Sequence, residues 1–264
     1  MLDHIIHRLK RVQGLLSRCL LRTDTDYLAR ESSLTSNDGA TSMKADFWRQ
    51  RWQLGEIDFH ESQANPALVD NIDQLKLAPN ARLFLPLCGK TLDIAWLLGR
   101  GYQVVGIELS VLAIEELFVE LGLTPTITSH GWLTHYHADK IDIWVGDVFE
   151  LTREQLGNVN AVYDRGALVA LPLDMRKRYA AHIIDITKAA AQLLVTYQYD
   201  QALYAGPPFS LSQQELTQHY AASYQRTRLQ QSNVSDGLKG RVDAVMEVWR
   251  LEADQTNQQG SSPE

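Results

Sequence analysis

No stretch of the 264-residue sequence approaches the roughly 18 consecutive apolar residues that a membrane-spanning helix needs. Cysteine is scarce. Cys19 and Cys88 are too few for a disulfide framework, and they read as reduced thiols of a cytoplasmic protein. Basic charge is outweighed, with 25 Lys and Arg against 32 Asp and Glu and a net charge of −7. A broad nucleic-acid footprint needs a basic surface, so nucleic acid is not expected as a partner, nor is stable membrane association. The sequence has no internal repeat and no obvious Ser-His-Asp or Cys-His arrangement for nucleophilic catalysis. It also lacks G-x-G-x-x-G, with which dinucleotide folds seat a pyrophosphate on a helix N-terminus, and this disfavours a nicotinamide dehydrogenase. A hydrophobic content of 45% suffices for one sizeable core in a soluble domain of ordinary size.

The stretch Leu83-Phe84-Leu85-Pro86-Leu87-Cys88-Gly89-Lys90 organises what is there. An apolar run breaks at Pro86 and turns at Gly89, and a helical pattern starts near Thr91 with Ile94, Ala95, Trp96, Leu97 and Leu98 on its buried face. A second apolar run, Val104-Val105-Gly106-Ile107-Glu108, ends in a carboxylate. Strand, glycine turn, helix and strand make half of a nucleotide-binding unit, and Glu108 stands where such folds place the acid that takes ribose hydroxyls. A cofactor without phosphates needs no pyrophosphate cradle, and S-adenosyl-L-methionine is the commonest of these. The fold class expected is α/β: a Rossmann-like, doubly wound, mostly parallel sheet with an antiparallel C-terminal edge and helices on both faces.

Four motifs carry a resemblance to a known family. Pro86-Leu87-Cys88-Gly89-Lys90 with Val105-Gly106-Ile107-Glu108-Leu109-Ser110, Phe47-Trp48-x-x-x-Trp52, Asp164-Arg165-Gly166-Ala167-Leu168 and Gly206-Pro207-Pro208-Phe209 together resemble the thiopurine S-methyltransferases, from about Ala45 to Leu251. The resemblance implies methyl transfer from S-adenosyl-L-methionine to the sulfur of thiopurines or related heterocyclic thiols, with selenium or tellurium species as further acceptors. It implies cofactor contacts at Trp52, Leu87, Glu108 and Arg165, a substrate-side loop around Phe209, and a cytoplasmic monomer acting on a small molecule. Rival readings are O- or N-methylation on the same fold, and a catalytically silent cofactor-binding regulator.

Residues 1–42 stand apart. Leu2, Ile5, Ile6, Leu9, Val12, Leu15 and Leu16 recur at helical spacing beside Arg8, Lys10, Arg11, Arg18 and Arg22, and the polar residues 23–42 read as a linker. An extension ahead of a start at Met43, a surface-seeking helix and a transit-like peptide all fit this pattern. The methyltransferase domain is expected over 43–252, followed by a disordered tail over 253–264. His130, His135 and His137 read as surface histidines without a third ligand, so no metal is expected. Asp147, ending the third parallel strand, is a candidate for the adenine side. Asp164 and Arg165, ending the fourth, are expected to face the same crevice as Gly89 and Glu108.

Overall fold

The computed structural model describes residues 38–254, with side chains from Ala45 onward. The basic amphipathic segment, most of the linker reading and the tail beyond Asp254 lie outside the described residues. Helix α1, Asp38–Leu54, starts ahead of the Phe47-Trp48-x-x-x-Trp52 motif, because Ala40, Met43, Lys44 and Ala45 are all good helix formers. It carries the boundary between one unit ending at Trp48 and a second running from Arg49.

The second unit is built on a nine-stranded sheet in the order β3-β4-β5-β2-β1-β6-β7-β9-β8. Its elements, in chain order, are α2 Pro66–Asn71, β1 Arg82–Pro86, α3 Leu92–Gly99, β2 Gln103–Glu108 and α4 Val111–Glu120. Next come β3 Thr126–His130, β4 Leu133–Ala138, β5 Ile141–Val145, α5 Arg153–Leu156 and β6 Ala161–Arg165. The last are α6 Leu173–Thr187, β7 Ala191–Gln198, α7 Gln213–Tyr220, β8 Tyr224–Asn233 and β9 Val245–Ala253. Strands β5, β2, β1, β6 and β7 run parallel, while β3 and β4 at one edge and β9 and β8 at the other pair antiparallel. From β1 the chain steps outward through β2 to β5, then returns to the far side of β1 for β6 and β7. The reversal between β1 and β6 opens a crevice outside their carboxyl ends.

Alternation along the strands splits the core into two layers. Phe84, Val105, Val162 and Leu194 pack with Tyr179 and Ile183 of α6, while Leu83, Val104, Tyr163 and Leu193 pack with Leu68 of α2, Ile94 of α3 and Ile114 of α4. Helices therefore cover both faces, as the doubly wound reading requires. Helix α2 is followed directly by a 3₁₀ turn, Ile72–Leu75. Asn71 bonds back to the Ala67 carbonyl at 3.0 Å and across to Gln230 at 3.1 Å, a local alternative to helical propagation. Strand β8 continues through Leu229, with a register shift between Arg228 and Gln230 that steps one residue out of phase.

The two-layer division corrects one expectation. Asp164 does not face the crevice with Arg165; it lies fully buried in the layer of α6, accepting from the Leu168 N–H at 3.1 Å and the Tyr179 hydroxyl at 2.8 Å. Neighbouring strand residues point to opposite faces, so the two could not share one side. Burial pushes the Asp164 carboxyl up to about 6 against the pull of these donors. An unfolded aspartate titrates near pH 4, so the native state binds the extra proton between the two values. The contribution of this one group to stability is then full below about pH 4 and falls by about 3 kcal/mol as pH rises through about 6. Denaturant titrations across this window should show a falling stability, and Asp164→Asn should make the fall shallower.

Candidate functional site

The crevice is walled by the turn that follows β1. Leu87 (φ 47°) and Gly89 (φ 52°) both lie in the left-handed region before Thr91 caps α3, accepting from the Asp93 N–H at 3.3 Å. The conformation at Leu87 costs about 1 kcal/mol, so neighbouring contacts must hold it. Glu108 supplies one of them. From the end of β2 its Oε2 accepts the Gly89 N–H at 2.8 Å, while Oε1 accepts the N–H groups of Leu109 at 2.8 Å and Ser110 at 2.9 Å. Lys90 ties the same turn to α4 through Glu116 at 2.9 Å and Glu120 at 2.7 Å.

Glycine is needed at two positions. A Cβ on Gly89 would stand 3.0 Å from the Trp52 ring, and one on Gly106 would stand 2.8 Å from the Cys88 sulfur and 2.9 Å from Ile143. Trp52 is buried with its ring edge-on to Phe59 at 5.4 Å, so it covers the turn itself. Burial pushes the Glu108 carboxyl up, and its three backbone donors offset part of that rise. An ionised carboxylate has about four acceptor positions; with three filled, one on Oε2 remains for a ligand hydroxyl. Cys88 sits beneath the turn, its thiol pushed up by burial and by the Glu108 charge. It packs as a neutral thiol and is no nucleophile.

Arg165, at the end of β6, comes to the other side of the crevice mouth. Its guanidinium pairs with Glu61, whose two oxygens also accept from Asn65 Nδ2 at 3.0 Å each. The Asn65 backbone N–H in turn donates to Asp93 Oδ1 at 2.7 Å, within the first turn of α3. Burial pushes the Asp93 carboxyl up, opposed by this backbone bond and by the Arg165 charge. The structure thus joins Trp52, Gly89 and Glu108 in one contact set, leaves Leu87 on the same turn packed against the α6 layer, and places Arg165 on a neighbouring strand end within a second network. Sequence reasoning missed Glu61, Asn65 and Asp93. Asp93 had a signal, as a carboxylate inside the otherwise apolar run Leu92–Leu98 that must bury and find a partner.

The remaining candidates have local roles. Asp147 caps the 3₁₀ turn Val148–Glu150, accepting from Phe149 N–H at 3.0 Å. Phe209 lies with its ring 5.4 Å from the Arg176 guanidinium and against Gly206, and its N–H donates to Val169 at 2.7 Å. The loop around it is held by the Tyr199 hydroxyl on Pro208 and the Tyr204 hydroxyl on Pro207, both at 2.7 Å. The segment 234–244 packs Leu238, Val242 and Ala244 against Tyr197, Tyr199 and Tyr204, and brings Lys239 to 3.7 Å from Asp58. The histidine reading also changes. Strand pairing sets His137 opposite Asp142, and the Asp142 Oδ1 lies 2.9 Å from His135 Nε2 and 2.8 Å from His137 Nδ1. A third potential ligand is therefore present.

Comparison with known proteins identifies the family. A family model described as thiopurine S-methyltransferase matches residues 43–253. A thiopurine S-methyltransferase of Xanthobacter autotrophicus is 53% identical over 211 residues, covering 80% of this chain and 99% of the relative. One from Teredinibacter turnerae is 47% identical, covering 79% and 97%. Among solved structures, the Burkholderia thailandensis 1,6-didemethyltoxoflavin-N1-methyltransferase, with S-adenosylhomocysteine bound, has a TM-score of 0.57 at 17% identity, covering 84% of this chain and 92% of that one. This last likeness concerns the fold.

Proposed function

The chain belongs to the thiopurine S-methyltransferase family, and on that premise we propose that it moves a methyl group from S-adenosyl-L-methionine to the sulfur of thiopurines or related heterocyclic thiols. It does so as a cytoplasmic monomer whose catalytic domain spans residues 43–252. The observation that carries the reading is Glu108, buried at the end of β2, bonded to the Gly89 N–H and with one acceptor position left on Oε2. An acid so placed takes a ribose hydroxyl, and the single-glycine turn admits a nucleoside without offering a phosphate cradle.

The other residues fit the same cofactor. Its methyl group is already activated on a sulfonium. Arg165 offers a planar fork matched to a carboxylate, the one anionic group the cofactor has. Trp52 presents an aromatic ring over the Gly89 turn, where a cation is attracted by the ring face and water is excluded. Leu87 contributes its backbone and side chain at the lip of the turn. Heteroaromatic thiols ionise readily, so alignment of donor and acceptor does most of the work and no dedicated base is required. The buried carboxyl of Asp164 lies in the opposite layer and the Cys88 thiol is neutral, which leaves neither as a base for the acceptor.

An acceptor panel tests this. Purified protein with S-adenosyl-L-methionine should form S-adenosylhomocysteine with thiopurines and with aromatic thiols or selenols, and not with matched phenols or amines. Turnover restricted to oxygen or nitrogen acceptors would transfer the assignment to the rival enzyme class. Cofactor binding without turnover on any acceptor would mark a silent binding protein.

A further inference from the structure

We propose that His135, His137 and Asp142 form a binding site for a divalent late first-row transition ion, with zinc as the natural choice, separate from the methyl-transfer crevice. Their three donor atoms lie within 4.8 Å of one another. Two imidazoles and one carboxylate are the donor set that such ions prefer over calcium or magnesium. The set is built on rigid backbone: His137 pairs directly with Asp142 across β4 and β5, and His135 pairs with Trp144 one step along the same face. Bonds of about 2.1 Å from a shared ion would leave the donor atoms about 3.3 Å apart. Each histidine would then move back about 0.5 Å from its present 2.8–2.9 Å separation from Asp142, and the two imidazole nitrogens, now within 4.8 Å of each other, would settle at the same spacing.

The surroundings hold the three side chains in place. Arg82 grips the far oxygen of Asp142 at 2.9 Å, which presents the near oxygen as a single ligand. Arg82 is itself fixed by the Leu156 carbonyl. The His135 ring stacks on Trp144 at 4.2 Å and 11°, which sets the direction of its Nε2. Partners of this kind orient ligands and raise metal affinity. His137 is 58% exposed, so solvent reaches the ion and supplies the remaining coordination positions. Asp142 stands three ladder steps before the β2–β5 pair of Glu108 and Val145, about 10 Å along the strands at some 3.3 Å per residue. An ion there joins β4 to β5 as a clip on the antiparallel edge and takes no part in methyl transfer.

Calorimetric titration of the untagged, metal-stripped full chain with zinc tests this, with cobalt as a visible-absorption probe of coordination. The expected result is one equivalent bound and a Tm rise of about 5 °C at saturation. His137→Ala, which removes an exposed ring, and His135→Gln should each weaken binding more than tenfold and abolish most of that rise. Absence of saturable binding to the parent protein would overturn the proposal. So would undiminished binding in both variants, since the ion would then belong to other ligands such as His4, His7 or Cys19.

Discussion

Glu108→Gln is expected to lower the affinity for S-adenosyl-L-methionine by roughly tenfold to a hundredfold, the value of one or more hydrogen bonds to a charged acceptor. Glutamine fills nearly the same volume but carries one acceptor oxygen where glutamate has two. That oxygen satisfies the paired donors of Leu109 and Ser110, and the amide NH₂ then faces the Gly89 N–H. The ribose hydroxyl loses its acceptor and the turn loses its tether together. Alanine is a poorer test, because it leaves the buried Gly89 and Ser110 donors and the part-buried Leu109 donor without this partner at about 1–3 kcal/mol for each buried one, and a misfolded variant would say little. Calorimetry on the glutamine variant, with the native fold checked by circular dichroism, measures the effect. Unchanged affinity in a folded protein would remove Glu108 from the site.

Arg165→Met should lower cofactor affinity by more than tenfold, provided the guanidinium meets the cofactor carboxylate. The result needs a control, since Arg165 also pairs with Glu61 and its loss could act through that network. Glu61→Gln supplies it. This change removes the charge pair, keeps an acceptor for Asn65 and leaves the guanidinium in place. Affinity should then stay level or rise, because the cofactor no longer competes with Glu61 for the arginine. Equal losses in the two variants would make Arg165 a structural ion-pair partner and not a cofactor contact.

Local patterning carried much of this site into the sequence. The break at Pro86, the glycine at 89 and the acid 19 residues later all belong to one strand–turn–helix–strand unit, so their relation follows from chain geometry. The turn conformation was only partly visible: Gly89 advertised a positive φ, but Leu87 did not, because its backbone is held by contacts that side-chain identity does not encode. The Arg165–Glu61–Asn65–Asp93 network was out of reach, since it joins segments whose meeting depends on the placement of β6 beside β1. Two errors, in contrast, had usable signals. Alternation along Ala161–Arg165 already separated Asp164 from Arg165, with no structure required. A two-residue turn at Asp139–Lys140 would have paired His137 with Asp142 and shown the third ligand.

The central claim is that sulfur receives the methyl group, and the position of the label in the product tests it most directly. Incubation with methyl-labelled S-adenosyl-L-methionine and a thiopurine, followed by NMR of the product, distinguishes S-methyl from N-methyl by chemical shift. The account predicts a single S-methyl product formed in step with S-adenosylhomocysteine, and a rate that falls in Glu108→Gln and Arg165→Met at subsaturating cofactor. Label on a ring nitrogen, or cofactor bound without any labelled product, would contradict it.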